Sequence, residues 1–267
     1  MNSAERIRIF GMSVDRVDLS EAVHRINDWC DNKDYKCHYV VTPNLDHAVQ
    51  FQNNAVFRTA YEKASLVVAD GWPIVTASRI FANALPERVA GSDLIPALLS
   101  SARPEQTRTL FLLGAAEGVA DVAAVNICQK WPAIKVVGTY SPPFGFERDA
   151  AVKQDIIRRV NYCRPDLLIV GFGAPKQELW LSECHDRLSV GVAIAAGATI
   201  DFLAGRQTRA PLWVRQWRLE WSHRLLTNPR RLAGRYATNA WQFPWLMYRE
   251  YLGQRDSGQM PRPAASK

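Results

Sequence analysis

Seven short apolar runs, rich in Val and Ile, recur along the first 196 residues and are separated by longer amphipathic stretches. Such runs are typical of β-strands and such stretches of helices, so their alternation predicts an α/β protein. Runs such as Leu167–Val170 are continuously apolar, as expected for parallel strands that helices cover on both faces. We therefore predict a mainly parallel, Rossmann-like sheet flanked by helices. The predicted strands are Arg8–Phe10, His38–Thr42, Leu66–Ala69, Thr109–Leu113, Ile134–Gly138, Leu167–Gly171 and Val190–Ala196. The predicted helices are Ser20–Cys30, Ala55–Lys63, Asp93–Ser101, Gly118–Lys130, Asp149–Tyr162 and Lys176–Cys184.

The net charge of +7 is distributed unevenly. The segment from Gly205 to Arg255 contains ten arginines, no lysine and two glutamates, so it carries +8 and leaves the rest of the chain near −1. It also holds five of the nine tryptophans, in a helical pattern. Tryptophan favours membrane interfaces and arginine favours phosphate groups, so we expect this segment to bind an anionic membrane surface. The alternative is a solvated charged face whose tryptophans pack on the body.

These patterns divide the chain into three predicted parts. Residues 1–205 form the α/β domain, residues 206–255 a basic, aromatic-rich helical appendage, and residues 256–267 a disordered tail. The five cysteines include no C-x-x-C pair, which favours reduced thiols. The N-terminus shows no apolar signal segment, and no apolar run is long enough to cross a membrane. We therefore expect a peripheral protein that does not span the membrane.

Polar residues follow the predicted strands, where ligands of parallel sheets bind. Asp70 could act as a general base or bind hydroxyls, or it could cap a helix that begins near Pro73. Thr42 and Asn44 could orient a substrate or form a turn. His47, a helical turn further on, is expected to be structural.

Glycines follow three other predicted strands, at Gly114, at Gly171 and Gly173, and at Gly197. Glycine lets backbone N–H groups approach an anion, so the turns at Gly114 and at Gly171 and Gly173 are candidate phosphate sites, although a plain tight turn explains each of the two equally well. No G-x-G-x-x-G or P-loop signature is present, which disfavours an NAD-dependent epimerase or dehydrogenase.

Lys176, Gln177 and Glu178 open the helix after the sixth predicted strand. A lysine in the first turn opposes the helix dipole, which makes sense if an anion binds nearby. Asp201 could cap the next short helix or bind a ribose diol.

Six separated motifs follow one another along the chain. They are Thr42-Pro43-Asn44, Ala69-Asp70-Gly71, Arg88-Val89-Ala90-Gly91-Ser92-Asp93, Gly171-Phe172-Gly173-Ala174-Pro175-Lys176-Gln177-Glu178, Gly197-Ala198-Thr199-Ile200-Asp201, and Arg209-Ala210-Pro211 with Glu220-Trp221 and Pro229-Arg230-Arg231. Together, and in this order, they resemble the motifs of the WecG/TagA/CpsF glycosyltransferases over roughly residues 7 to 250. The resemblance implies an inverting, metal-independent transfer of a sugar from a UDP-sugar to a polyprenyl-diphosphate-linked acceptor at the cytoplasmic face of the inner membrane, in cell-surface polysaccharide synthesis.

By this resemblance Asp70 matches the catalytic base, Thr42 and Asn44 line its pocket, Gln177 contacts the donor and Asp201 lies near the nucleoside. The residues expected to bind the nucleotide sugar, from the turns and the resemblance together, are Gly114, Gly171, Gly173, Lys176, Gln177, Glu178, Gly197 and Asp201. The residues expected to reach the acceptor diphosphate and the membrane are Arg224, Arg231 and Arg235.

The sequence contains no D-x-D pair, H-E-x-x-H motif or His/Cys cluster, so we expect neither a metal ion nor another cofactor. The expected partners are the UDP-sugar, the lipid-linked acceptor and the membrane, but no nucleic acid. Exposed tail tryptophans would favour self-association without a membrane. The donor sugar stays open between glucose and an N-acetylmannosamine-type hexose. The alternative function is a non-enzymatic peripheral protein that binds an anionic membrane or nucleic acid.

Overall fold

The computed structural model describes residues 5–81, 84–103, 105–207, 210, 211, 214, 217, 220–227 and 229–256. The strands of its main sheet are β3 (His38–Val41), β4 (Leu66–Val67), β5 (Arg108–Gly114), β6 (Ile134–Tyr140), β7 (Leu167–Gly171) and β8 (Val192–Ala195). These six strands are parallel and lie in the order β4-β3-β8-β7-β5-β6, which confirms the predicted α/β class.

The first predicted strand does not belong to this sheet. Strand β1 (Arg6–Ile9) pairs antiparallel with β2 (Met12–Asp15) in a separate two-stranded sheet. Phe10 and Gly11 connect them with φ values of 50° and 79°. Two left-handed residues between paired strands form a tight hairpin, and a hairpin joins antiparallel strands only. The expectation that Arg8–Phe10 would lie in the main sheet was therefore wrong.

Helices cover both faces of the main sheet. Along each strand alternate side chains enter opposite layers, so Tyr39 and Val41 pack into one apolar core and Val40 into the other. The helices are α1 (Leu19–Asn32), α2 (Leu45–Asn53), α3 (Ala55–Glu62), α4 (Trp72–Phe81), α5 (Gly91–Ser100), α6 (Val119–Lys130), α7 (Ala150–Cys163), α8 (Lys176–Cys184), α9 (Thr199–Leu203), α10 (Glu220–Thr227) and α11 (Pro229–Asp256).

The helical C-terminal region packs against the body. Leu246 of α11 is buried, and Phe243 stacks edge-on against Phe10 with ring centroids 6.4 Å apart. Glu250 Oε2 accepts a hydrogen bond of 2.9 Å from the Phe10 N–H. These contacts, with those of α11 to α2 and α4, hold the last helix over the carboxyl edge of the sheet. Most of residues 206–219 and all of the predicted tail beyond residue 256 lie outside the described residues.

Within the part of the chain that the structure describes, no helix has the length and apolar character needed to cross a bilayer.

Candidate active site

The loops after β3, β4, β7 and β8 meet at one edge of the sheet and enclose a polar cavity of about 140 Å³. Parallel neighbouring strands bring their carboxyl ends together, so residues far apart in sequence line one space. The predicted site residues that line this cavity are Thr42, Asn44, Asp70, Gly173, Gln177, Gly197 and Arg235. Gln207 also lines the cavity, although no sequence pattern pointed to that residue.

Asp70 follows β4 and is held from two directions. Its backbone N–H donates a hydrogen bond of 2.8 Å to the Pro43 carbonyl, which joins two neighbouring strand ends. Arg88 Nη1 lies 3.4 Å from Asp70 Oδ1, and Nη2 of the same guanidinium lies 2.8 Å from Asp93 Oδ2. The Asp70 carboxylate is mostly buried but reaches the cavity, as a general base must.

Thr42 and Asn44 have structural partners as well as positions in the cavity wall. Thr42 Oγ1 donates to the Ala195 carbonyl at 3.2 Å, tying β3 to β8. Asn44 caps α2, because its Oδ1 accepts hydrogen bonds from the N–H groups of Asp46 and His47 at 3.0 and 3.4 Å. Asn44 therefore caps a helix and also faces the site, and its role in orienting a substrate stays a prediction.

The side chain of Gln177 joins the two glycine-containing loops. Its Oε1 accepts hydrogen bonds from the N–H groups of Gly173 and Gly197, each at 3.1 Å. Its Nε2 donates to Glu178 Oε1 at 2.8 Å. Gln177 itself thus occupies the N–H groups of two glycines that were expected to bind the nucleotide sugar.

Glu178 lies beneath the cavity, with 0% of its side chain exposed. Its Oε2 has no hydrogen-bond partner among the described residues. Burial raises the pKa of Glu178 to about 7, because a charged carboxylate is costly away from water. His47 Nε2 lies 3.9 Å from Glu178 Oε1, and its Nδ1 is hydrogen-bonded to the Tyr61 hydroxyl at 3.0 Å. Burial lowers the pKa of His47 to about 3, so this histidine is neutral, consistent with the expected structural role.

Five predicted nucleotide-sugar residues lie outside the wall of the cavity: buried Glu178, and Gly114, Gly171, Lys176 and Asp201. A Cβ on Gly114 would come within 2.8 Å of the Gly171 backbone, and one on Gly171 within 2.9 Å of Ile200, so close packing requires both glycines. The Lys176 ammonium lies 2.7 Å from Glu147 Oε1. Asp201 belongs to α9, and its carbonyl accepts hydrogen bonds from two later N–H groups. Their binding roles stay predictions.

Among the predicted arginines, Arg235 reaches the site. It projects from α11, lines the polar cavity, and its Nη1 lies 3.9 Å from Asp46 Oδ2. Arg224 belongs to α10 and Arg231 to α11, but their side chains are outside the described residues. Arg235 thus brings a positive charge from the appendage to the strand ends.

A second cavity of about 360 Å³ adjoins Asp70 between the body and the C-terminal helices. It shares Asn44, Asp46, Asp70 and Arg235 with the polar cavity. Its other lining residues include Trp72, Arg88, Trp221, Tyr236 and Asn239. Sequence reasoning identified none of these five as site residues. The motif that begins at Arg88 could have pointed to Arg88, but the position of this residue beside Asp70 depends on tertiary structure.

The described residues include no group of three His, Cys, Asp or Glu side chains placed to hold a metal ion.

Comparison with known proteins identifies the family. The model of the glycosyl transferase WecG/TagA/CpsF family matches residues 7–257. A protein of Bacillus spizizenii named N-acetylglucosaminyldiphosphoundecaprenol N-acetyl-beta-D-mannosaminyltransferase is 29% identical over 193 residues, which cover 72% of this chain and 72% of that protein. A Staphylococcus aureus protein of the same name is 26% identical over 231 residues, covering 86% of this chain and 88% of that protein.

Proposed function

This chain belongs to the WecG/TagA/CpsF family of glycosyltransferases, and we propose that it transfers a hexosyl group from a UDP-sugar to a polyprenyl-diphosphate-linked sugar during synthesis of a cell-surface polysaccharide. Both relatives are named for a lipid-diphosphate-linked N-acetylglucosamine acceptor. Their names make N-acetylmannosamine the first donor sugar to test. Glucose, the other sugar that the sequence left open, is the second. A non-enzymatic membrane-binding or nucleic-acid-binding role does not account for membership of this enzyme family.

The position of Asp70 carries the proposal. Its carboxylate lies where the polar cavity and the larger cavity meet, so it can reach a hydroxyl placed between them. Arg88 contacts this carboxylate at 3.4 Å and lines the larger cavity with it. A carboxylate between two ligand spaces is the arrangement that a transfer between two bound substrates needs.

In the proposed reaction Asp70 takes the proton of the acceptor hydroxyl as that oxygen attacks the anomeric carbon of the donor. One carbon–oxygen bond forms, and the bond from the anomeric carbon to the diphosphate of UDP breaks. Attack from the side opposite the leaving group inverts the anomeric configuration. The polar cavity, walled by the Gly173 and Gly197 loops, holds the reacting end of the donor.

The departing UDP carries negative charge that must be stabilised. Among the described residues of the appendage, Arg235 is a cation that lines both cavities. We propose that arginines of the appendage take this role without a metal ion, and that Arg224 and Arg231 join Arg235 when the lipid diphosphate binds. The proposal rests on the position of Arg235 and on the arginine-rich sequence of the segment.

A lipid-linked acceptor also requires contact with a membrane. Trp241, Trp245 and Tyr248 are exposed on α11, as suits residues that enter a membrane interface. We propose that the helical appendage docks peripherally on the cytoplasmic face of the inner membrane while residues 1–205 carry the chemistry. Because α11 packs on α2 and α4, docking would place the acceptor beside Asp70.

The experiment is a panel of UDP-sugars tested with a short-chain polyprenyl diphosphate that carries N-acetylglucosamine. We expect UDP release and a disaccharide product of inverted configuration with one or a few donors, with and without EDTA. Loss of activity in EDTA would contradict the metal-independent step alone. Absence of UDP release and product with every donor would contradict the proposed transfer.

A further inference from the structure

We propose that the larger cavity is the binding site for the acceptor sugar, an N-acetylhexosamine linked to lipid diphosphate, and that Trp72, Trp221, Tyr236 and Asn239 recognise it. The inference rests on the proposed transferase function and adds a substrate position to it. The site is made jointly by the body and the C-terminal helices and is incomplete without the latter.

The cavity has the size and composition of a carbohydrate site. Its volume of about 360 Å³ falls within the range of roughly 300–1,000 Å³ that is usual for small-molecule sites, whereas the polar cavity lies below it. Trp72 comes from the start of α4, and Trp221 and Tyr236 come from α10 and α11. Aromatic rings offer flat apolar surfaces on which the C–H face of a sugar can lie.

The aromatic residues of the C-terminal helices are arranged as a pair. The Trp221 and Tyr236 rings meet edge to face, with centroids 6.4 Å apart and an interplanar angle of 83°. Trp221 is nevertheless 53% exposed. A tryptophan fixed by one ring contact but largely uncovered beside a cavity is suited to contact a ligand.

Asn239 gives the cavity a polar group that lacks a partner. The residue is 5% exposed, and its Oδ1 has no hydrogen-bond partner among the described residues. A buried acceptor without a donor is unfavourable unless a ligand supplies one. The acetamido N–H of an N-acetylhexosamine is such a donor.

The location of the cavity fits the direction of the reaction. Asp70 lines both cavities, so a sugar in the larger one can present its hydroxyl to the carboxylate while the donor occupies the polar one. Inversion requires the hydroxyl to attack from the side opposite UDP, and two separate spaces that share Asp70 can hold the two substrates in that arrangement. Arg235, which also lines both cavities, lies within reach of a diphosphate.

The test compares full-length Trp221→Ala and Asn239→Leu with the wild type and with Tyr162→Ala, a control on the exposed surface of α7. The probes are short-chain polyprenyl diphosphates that carry N-acetylglucosamine or glucose. Transfer kinetics give KM for each substrate, and calorimetry without donor gives the acceptor Kd. Calorimetry with UDP alone gives its Kd.

We expect Trp221→Ala to raise both acceptor KM and acceptor Kd about tenfold, equivalent to about 1.4 kcal/mol, with the Kd of UDP unchanged. Asn239→Leu should reduce the preference for the N-acetylglucosamine probe over the glucose probe, since only the former has the acetamido N–H. The Tyr162→Ala values should match those of the wild type.

Unchanged acceptor KM and Kd in both variants, with transfer intact, would overturn the inference and leave the proposed function standing. Weakened acceptor binding in Trp221→Ala without transfer by any form of the protein would contradict the function and support the binding site. A rise in the Kd of UDP alone would place the donor in this cavity and also overturn the inference. Absence of binding of either probe to the wild type would also overturn the inference.

Discussion

The Arg88 guanidinium contacts the Asp70 carboxylate, with Nη1 3.4 Å from Oδ1. The same guanidinium is held by Asp93 at 2.8 Å, so one partly buried cation orients the proposed base from a fixed support. This support fixes the orientation of the Asp70 carboxylate relative to the acceptor hydroxyl. Proton transfer to a general base requires such a fixed orientation.

We predict that Arg88→Ala lowers kcat by about 10- to 100-fold while the Kd of UDP stays near the wild-type value, since the proton-transfer step typically contributes about 10²- to 10⁴-fold. Arg88→Lys should recover part of kcat, because it restores a charge without the two-pronged guanidinium. Single-turnover kinetics and UDP calorimetry measure the two effects. Equal kcat for Arg88→Ala and the wild type would show that this contact does not position the base.

The side chain of Gln177 bridges the Gly173 and Gly197 loops, and we predict that loss of this Gln177 bridge lowers the stability of the fold. Gln177→Ala leaves the N–H groups of Gly173 and Gly197 and the Glu178 carboxylate without their shared partner. We expect the free energy of unfolding to fall by about 2–4 kcal/mol and the donor KM to rise as the loops separate. Thermal and urea denaturation measure the first effect, and kinetics the second.

Lys176→Ala is the matched control, because it removes the neighbouring side chain and its partly exposed ion pair with Glu147. Such pairs contribute little to stability. An equal loss of stability in both variants would contradict a special role for the Gln177 bridge.

Glu178 predicts a pH effect on stability. Burial raises the pKa of Glu178 from 4.5 to about 7, so between these pH values the folded protein binds more protons at this site than the unfolded chain. The contribution of Glu178 to the free energy of unfolding is therefore complete below pH 4.5 and is lost as the pH rises to 7.

We expect Glu178→Gln, which cannot titrate, to gain roughly 3 kcal/mol of stability relative to the wild type between pH 4.5 and 7. Urea denaturation across this range measures the difference. The titration of neutral, buried His47 affects both proteins and largely cancels. A constant difference between the two proteins would show that Glu178 does not titrate in this range.

The exposed aromatic residues of α11 predict a separable membrane effect. Trp241→Ala combined with Trp245→Ala should weaken sedimentation with anionic phospholipid vesicles about tenfold or more, since interfacial tryptophans contribute to such binding. Transfer to a water-soluble acceptor should stay unchanged, because neither residue lines a cavity that contains Asp70. Tyr162→Ala is the control. Vesicle binding equal to that of the wild type would contradict docking through this face.

Much of the fold and part of the site follow from the sequence. Parallel strand ends share one edge, so the polar residues after separate apolar runs could be expected to meet, and Thr42, Asn44, Asp70 and Gln177 line one cavity. Helix α2 was not among the predicted helices; it begins directly after the Asn44 cap, where the sequence also allowed a turn. The first strand was assigned to the wrong sheet, because the tight turn at Phe10 and Gly11 pairs it with β2 instead.

The remaining features depend on packing that sequence spacing does not reveal. Gly114 and Gly171 resemble ligand-binding glycines, but each is required by a close backbone or side-chain neighbour. Trp72 lines the larger cavity together with Trp221 and Tyr236, which lie about 150 residues further along the chain. No local pattern predicts this cavity, because it forms only when α11, with α10 against it, packs on α4.

The most direct test of the account is Asp70→Asn, which keeps the size and most contacts of the side chain and removes its basicity. Transfer from the preferred UDP-sugar to the short-chain lipid-diphosphate acceptor should fall by at least about 10³-fold, with the Kd of UDP within about twofold of the wild-type value. Asp70→Asn that transferred sugar at the wild-type rate would contradict the assignment of Asp70 as the base and the mechanism built on it.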